Sequence, residues 1–195
     1  VVDVQRTPGG RILHLVEVDS GSLRVGDRVR ARVDGARRLD VARHHTATHL
    51  LHRALRQVLG SHVTQAGSLV AQDRLRFDFV HYEAPTPAQL RQVEDMVNEQ
   101  VMADLPVEAL VTSRDEAMAM GAVALFGEKY GDRVRVVRMG DFSLELCGGT
   151  HVRSTGQVGM FRLAAPSAVG AGVRRVEAVA GRAALAWSRR KEELL

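Results

Sequence analysis

At 195 residues the chain holds one sizeable domain, or one domain with a small appendage. Apolar residues make up 45% of it but aromatics only 4%, so a core must be built chiefly from Val, Leu and Ala; no apolar run reaches a membrane span of about 20 residues, and the N-terminal stretch lacks a charged-then-apolar signal pattern. One cysteine excludes an internal disulfide and fits a reducing, cytoplasmic setting, while the formal charge of +4, supplied almost wholly by arginine, suits a phosphate-rich partner as well as it suits a solvated surface.

Residues 1–39 read as β-structure. Ile12 to Val18 forms one strand, and Val25, Val29, Ala31 and Val33 interleave with Arg28, Arg30 and Arg32 at the two-residue period of another, with Asp34-Gly35 as its hairpin turn. These strands are too few to close a barrel. Asp40 is placed to cap the helix that follows and Gly60 to end it, with Ala42, His45, His49, Leu51, Leu55, Val58 and Leu59 on its inner face. Leu69 to Val80 carries Leu75, Phe77 and Phe79 in strand alternation, and Gln65 and Ser68 fall in the connecting loop.

Thr86-Pro87-Ala88-Gln89 has the N-cap, the first-turn proline and the back-reaching glutamine of a capping box. The helix it opens places Leu90, Val93, Val97 and Val101 on one side and stops before Pro106; this spacing marks scaffold packing. Val107 to Thr112 is a strand, Ser113 to Met120 a short helix, and Gly121 to Tyr130 a connection. Val134, Val136 and Val137 lie on a strand running toward Asp141, and Val158 to Ala164 and Val173 to Val179 are strands bracketing the loop 165–172. That loop's glycines offer backbone N–H groups to a phosphate or a ribose, with Arg174 and Arg175 behind them, although glycine-rich loops are common in any sheet protein. From Gly181 the chain is helical and charged, and reads as a solvated linker helix that continues into further chain. The sum is an α+β fold: a mixed or antiparallel sheet packed with helices over 40–180, a partial β-barrel segment over 1–39, and the start of a linker helix over 181–195.

Two four-residue clips carry the chemistry. His45 and His49 stand at i and i+4, which puts both on one face of the helix. The only cysteine, Cys147, stands four residues before His151; Phe142 to Cys147 alternates like a strand, and Gly148-Gly149 lets the chain turn so that His151 faces back. Zn²⁺ takes thiolate sulfur and imidazole nitrogen tetrahedrally, and two short clips from distant parts of the chain assemble such a site. A lone helical histidine is more often packing, and a lone cysteine a small buried hydrophobe; two clips of matched spacing favour one zinc site at His45, His49, Cys147 and His151. His52 reads as packing or as support behind the ligands, because including it breaks the matched spacing. His44 points away, and His14, His62 and His81 have no partner at ligand spacing.

His45-Thr46-Ala47-Thr48-His49-Leu50-Leu51-His52, Gln65-Ala66-Gly67-Ser68-Leu69, Leu125-Phe126-Gly127-Glu128-Lys129-Tyr130, the run Gly140 to His151 ending in Cys-Gly-Gly-Thr-His, and Gly172 to Ala178 together resemble the editing domain of alanyl-tRNA synthetases, from about residue 10 to about residue 190. The histidine pair is shared with threonyl-tRNA synthetases and with free-standing alanyl-tRNA editing proteins; the Cys-Gly-Gly-Thr-His run is more specific. In that family residues 1–39 are the end of a small β-barrel preceded by a glycine-rich segment, so the chain is expected to begin inside its own module and to carry only part of the RNA contact.

The ligand set alone favours a structural zinc module, since four protein ligands close a tetrahedron. The resemblance reverses that order: it implies a hydrolase acting on the ester of Ser-tRNA(Ala) and Gly-tRNA(Ala), with the tRNA(Ala) acceptor end and the remaining synthetase domains as partners. Thr46 and Gln65 match the family's pocket positions and are candidates for sensing a serine side chain, with a first-turn helix hydroxyl and a polar loop residue as their plainer roles; Asp141 and Arg174 are candidates for ordering the terminal adenosine or the site itself, with surface pairing as theirs. A zinc-dependent tRNA-binding module without chemistry is the alternative. No Glu lies between His45 and His49, unlike the His-Glu-x-x-His proteases, and no ATP-binding signature is present, so the chain is not expected to charge tRNA.

Overall fold

The computed structural model describes residues 1–124, 130–164, 167–170 and 172–193. The Leu125-to-Lys129 part of the expected connection, and residues 165, 166 and 171 of the glycine-rich loop, lie outside the described residues. The chain divides into two units, Val1–Val33 and Asp34–Leu195.

In the first unit β1 (Asp3–Arg6) pairs antiparallel with β2 (Ile12–Leu15). No strand forms over 25–33, against the alternation there: a strand persists only where a neighbour completes its ladder, and none does here. Val25, Val29 and Val33 are exposed.

The second unit starts earlier than expected. Asp34 is not a hairpin residue but the N-cap of α1 (Gly35–Leu59), its carboxylate accepting from the Arg37 N–H at 3.0 Å. The boundary therefore falls at 33/34, not 39/40. Asp40 is not a cap either. It lies buried within α1 and pairs with Arg43 at 2.8 Å and with Arg182 at 3.0 Å. Gly60 does end the helix. Burial goes almost all round the middle of α1, because the helix is surrounded: it packs on α2 (Pro87–Met102) and against β3 (Gln65–Val70), β4 (Leu75–Val80), β7 (Ser143–Leu146) and β10 (Val173–Ala180).

The predicted single strand from Leu69 to Val80 is a hairpin, β3–β4, with Ala71 N–H bonded to the Arg74 carbonyl at the turn; Gln65 and Ser68 are strand residues, not loop. The main sheet runs β3-β4-β10-β8 (β8, Phe161–Leu163), with β9 (Ser167–Gly170) also paired to β10. Residues 155–158, expected to lead into a strand, turn as a 3-10 helix, and the stretch 167–170 of the expected loop is strand. A second sheet orders β5 (Val107–Ser113), β6 (Arg133–Met139) and β7, with the short helix α3 (Arg114–Ala119) beside it. All named strand pairs are antiparallel.

The larger core gathers Leu50, Leu51 and Leu55 of α1, Phe77 and Phe79 of β4, Val93 and Val97 of α2, and Val176 of β10, all withdrawn from solvent. Each such side chain contributes about 1.5–3 kcal/mol on burial. The expected capping box at Thr86 and Gln89 is present in both directions. The last helix, α4 (Arg182–Glu192), packs on β10 and is tied to α1 through the Arg182–Asp40 pair.

Candidate metal centre

α1 and β7 face each other, and the two clips meet where they do. On α1, His45 and His49 are one turn apart; β7 ends at Leu146, and the chain continues through Cys147 to His151. One nitrogen from each of the three histidines and the Cys147 sulfur lie within 4.8 Å of one another. Sγ of Cys147 is 3.4 Å from Nε2 of His45 and 3.3 Å from Nε2 of His151. Tetrahedral Zn²⁺ with ligands at roughly 2.0–2.3 Å needs ligand–ligand separations of about 3.3–3.7 Å, which these two already have.

The rings are oriented for a cation. His49 gives Nδ1 to the Glu145 carboxylate at 2.7 Å, which leaves its buried Nε2 with no protein partner. A buried unpaired ring nitrogen is costly unless a ligand takes it. His151 turns Nδ1 to the Thr46 hydroxyl at 3.3 Å and Nε2 to the thiol. The donor set thus fits Zn²⁺ at His45, His49, Cys147 and His151.

Electrostatics agree. Burial opposes ionisation of Cys147, but the imidazoles gathered round its sulfur outweigh it and draw the thiol down to about 3. Burial, against the pull of Cys147, lowers His151 to about 4 and keeps it neutral. Burial opposes charge on both His49 and Glu145, yet their mutual attraction prevails and raises the histidine while lowering the carboxylate. A half-buried thiol drawn toward its thiolate, two residues along the chain from a buried carboxylate, makes the cluster a favourable place for a divalent cation.

The loop between the ligands is shaped by contact, not by turn geometry. Neither Gly148 nor Gly149 has a positive φ. A Cβ on Gly149 would stand 2.0 Å from Cε1 of His45, whereas one on Gly148 would meet nothing within 4 Å. Arg135 on β6 gives one guanidinium nitrogen to the carbonyls of both Cys147 and Gly149, each at 2.8 Å.

The other expected residues are distributed unevenly. Thr46 is fully buried, its hydroxyl donating to the Ala42 carbonyl and meeting His151 and the Val152 N–H, so it supports the cluster from beneath. Gln65 is half-buried at the start of β3, its amide donating to Ser68. Arg174 gives its guanidinium to the carbonyls of Tyr82 and Glu83. Gln65 and Arg174 occupy one row of the main sheet, both registered to Phe79. Asp141 is exposed at the β6–β7 turn, paired with Arg138, on the rim of a cleft of about 430 Å³ that reaches Ser143 and Glu145.

Three histidines take places that the spacing did not suggest. His44 is a fully buried staple, Nδ1 to the Asp40 carbonyl at 2.9 Å and Nε2 accepting from Ala180 at 3.1 Å, with burial lowering its pKa. His62 and His81, without partners at ligand spacing, meet each other at 2.8 Å. Glu145 and Arg135 escaped the sequence reading. The available sign was the alternation that puts Ser143, Glu145 and Cys147 on one side of the strand, with a carboxylate two residues before a ligand.

A helix and a strand-end loop that jointly present three imidazoles and a thiol define an α+β domain with a two-clip cluster able to hold a metal ion. The family described as "Threonyl and Alanyl tRNA synthetase second additional domain" matches residues 134–177, which include the second clip. Over 183 residues the chain is 61% identical to an alanine–tRNA ligase of Pelotomaculum thermopropionicum, covering 94% of the chain and 21% of that protein. Over all 195 residues it is 54% identical to one of Acetivibrio thermocellus, covering 22% of it, and over 184 it is 56% identical to one of Geobacillus kaustophilus, covering 94% of the chain and 21% of that protein. The chain belongs to the editing domains of alanyl-tRNA synthetases. It spans about a fifth of the length of these relatives. Among the described residues, no helix is long and apolar enough to cross a membrane.

Proposed function

We propose that this domain hydrolyses the ester joining a wrong amino acid to the 3′ end of tRNA(Ala), with Ser-tRNA(Ala) and Gly-tRNA(Ala) as substrates, inside a longer cytoplasmic alanine–tRNA ligase. The observation that carries this reading is the exposure of the cluster: His49 is buried, while His45, Cys147 and His151 are partly open to solvent. A purely structural centre has no need of an accessible side; an ester at the 3′ end does.

A synthetic pocket shaped for alanine rejects serine by only about a hundredfold, since a hydrophobic site discriminates poorly against an added hydroxyl. A second pocket is therefore needed, one that rewards the hydroxyl. In this reading His45, His49, Cys147 and His151 would hold Zn²⁺, which when bound would supply Lewis acidity toward the ester carbonyl. Thr46 holds His151 at the angle its Nε2 requires. Gln65 meets the serine hydroxyl with its amide, and Arg174 and Asp141 order the terminal adenosine, the exposed carboxylate of Asp141 pairing with Arg138 through Oδ1 and accepting from a ribose through Oδ2. The excess of arginine serves the acceptor-end phosphates.

The four-ligand set also supports a second reading, a zinc-stabilised tRNA-binding module without chemistry. Deacylation of Ser-, Gly- and Ala-tRNA(Ala) by the chain separates the two. Hydrolysis of the seryl and glycyl esters with the alanyl ester spared is the expected result. No hydrolysis of any, with tRNA still bound, would establish the binding module. Cys147→Ala is expected to remain folded and to lose deacylation; unfolding would mark the metal as structural.

A further inference from the structure

Glu145 and His52 are both buried, both polar, and neither belongs to the ligand set. Oε2 of Glu145 takes Nδ1 of His49 at 2.7 Å; Oε1 takes Nδ1 of His52 at 3.0 Å and the Ser143 hydroxyl at 3.4 Å. A buried carboxylate accepts and does not donate, so both rings must carry hydrogen on Nδ1. For His49 this frees Nε2, the atom that faces the cluster. His52 gains nothing at its own Nε2, which is buried without a partner while the ring packs on Phe77 at 5.2 Å. A neutral leucine would fill that space without the orphaned nitrogen. What His52 supplies is its Nδ1–H.

We propose that Glu145 is the positioning residue of the metal centre, and that His52 serves as the second donor that locks the Glu145 carboxylate in the plane required by His49. The arrangement is a three-part brace, His52–Glu145–His49, running from the core to the ion. His49 and His52 are three residues apart on α1, so one carboxylate from β7 bridges them, and the strand is thereby registered against the helix at the level of the ligands. This proposal rests on the metal-binding reading of the cluster and extends it from four ligands to the two residues behind them.

The test measures the zinc dissociation constant of the 195-residue chain by competition with a chromophoric chelator, together with the ligand-field spectrum of the Co²⁺-loaded protein. If the unaltered chain takes up no zinc, the metal-binding reading falls, and this proposal with it. Given binding, Glu145→Gln should weaken zinc about 10–100-fold and alter the Co²⁺ spectrum, since loss of a carboxylate behind a ligating histidine has effects of that size. His52→Asn keeps a donor where Nδ1 stood and should bind zinc as the unaltered chain does; His52→Leu removes the donor and should bind more weakly. Should the leucine variant not fold, the asparagine and glutamine variants carry the test. Glu145→Gln with unchanged affinity and spectrum would overturn the proposal. So would His52→Asn losing affinity, since that would mean Nε2 of His52 matters as a ligand.

Discussion

At the scale of single residues, the candidate metal centre depends as much on what is missing as on what is present. Gly149 has no Cβ because His45 occupies that space, and the nearest ring atom would lie 2.0 Å from it. Contacts under 3 Å against a held ring cannot be relieved by a small shift, so one ligand must move. Gly149→Ala is therefore expected to displace His45 and lower zinc affinity at least tenfold in chelator competition, with Gly148→Ala as a control that binds normally because that position is open. Equal affinities for the two variants would remove this account of the Cys-Gly-Gly run. Thr46 shows the same economy: one hydroxyl satisfies a helix carbonyl, a ligating histidine and a loop N–H.

Among the elements, α1 is the one the others are fitted around, and α2 is the one that covers it. The two do different work. α1 carries ligands, the His44 staple to β10 and the Asp40 ion pairs, whereas α2 contributes the apolar face of Val93, Val97 and Val101 and a complete capping box. Removing the cap should loosen the scaffold without touching the site. Thr86→Ala is expected to cost about 1 kcal/mol in urea unfolding while zinc affinity stays unchanged; a drop in both would show that α2 and the centre are coupled. Helix α2 is legible in the sequence because its start signal and its period agree. The first helix was misjudged at its start because Asp34-Gly35 suits a hairpin and an N-cap equally, and only the absence of a paired strand over 25–33 resolves the choice.

At the scale of the whole molecule, the main sheet is held in part by charge across its central strand pair, and this sets the response to acid. Asp78 on β4 bonds Arg175 on β10 through both carboxylate oxygens, at 2.6 and 2.8 Å. These hydrogen bonds, helped by the charges of Arg175 and Arg76 and opposed by burial, hold Asp78 below the ordinary carboxylate range. A carboxyl whose folded pKa is depressed adds stability at pH values above its unfolded pKa of about 3.9, and loses it as pH falls through the lower, folded value. Urea midpoints should therefore fall on acidification below about pH 4, and Asp78→Asn should be less stable at pH 7 yet show a shallower acid loss. Parallel pH curves for the two proteins would exclude the pair as a source of that loss.

The sequence by itself determined the four side chains that cluster, the α+β class and most elements of the second unit, because spacing along one helix or one strand is a local property: i and i+4 share a face wherever the helix lies. It could not determine which residues stand behind the ligands. Glu145 is 96 positions from His49 and Arg135 is 12 from Cys147, and the alternation that sets Glu145 on the side of Cys147 does not say which histidine it meets. Those contacts arise only once α1 is laid against β7 and β6 is paired to it. A carboxylate that would be solvated on an open strand then becomes a buried acceptor, and the histidine opposite acquires a defined tautomer.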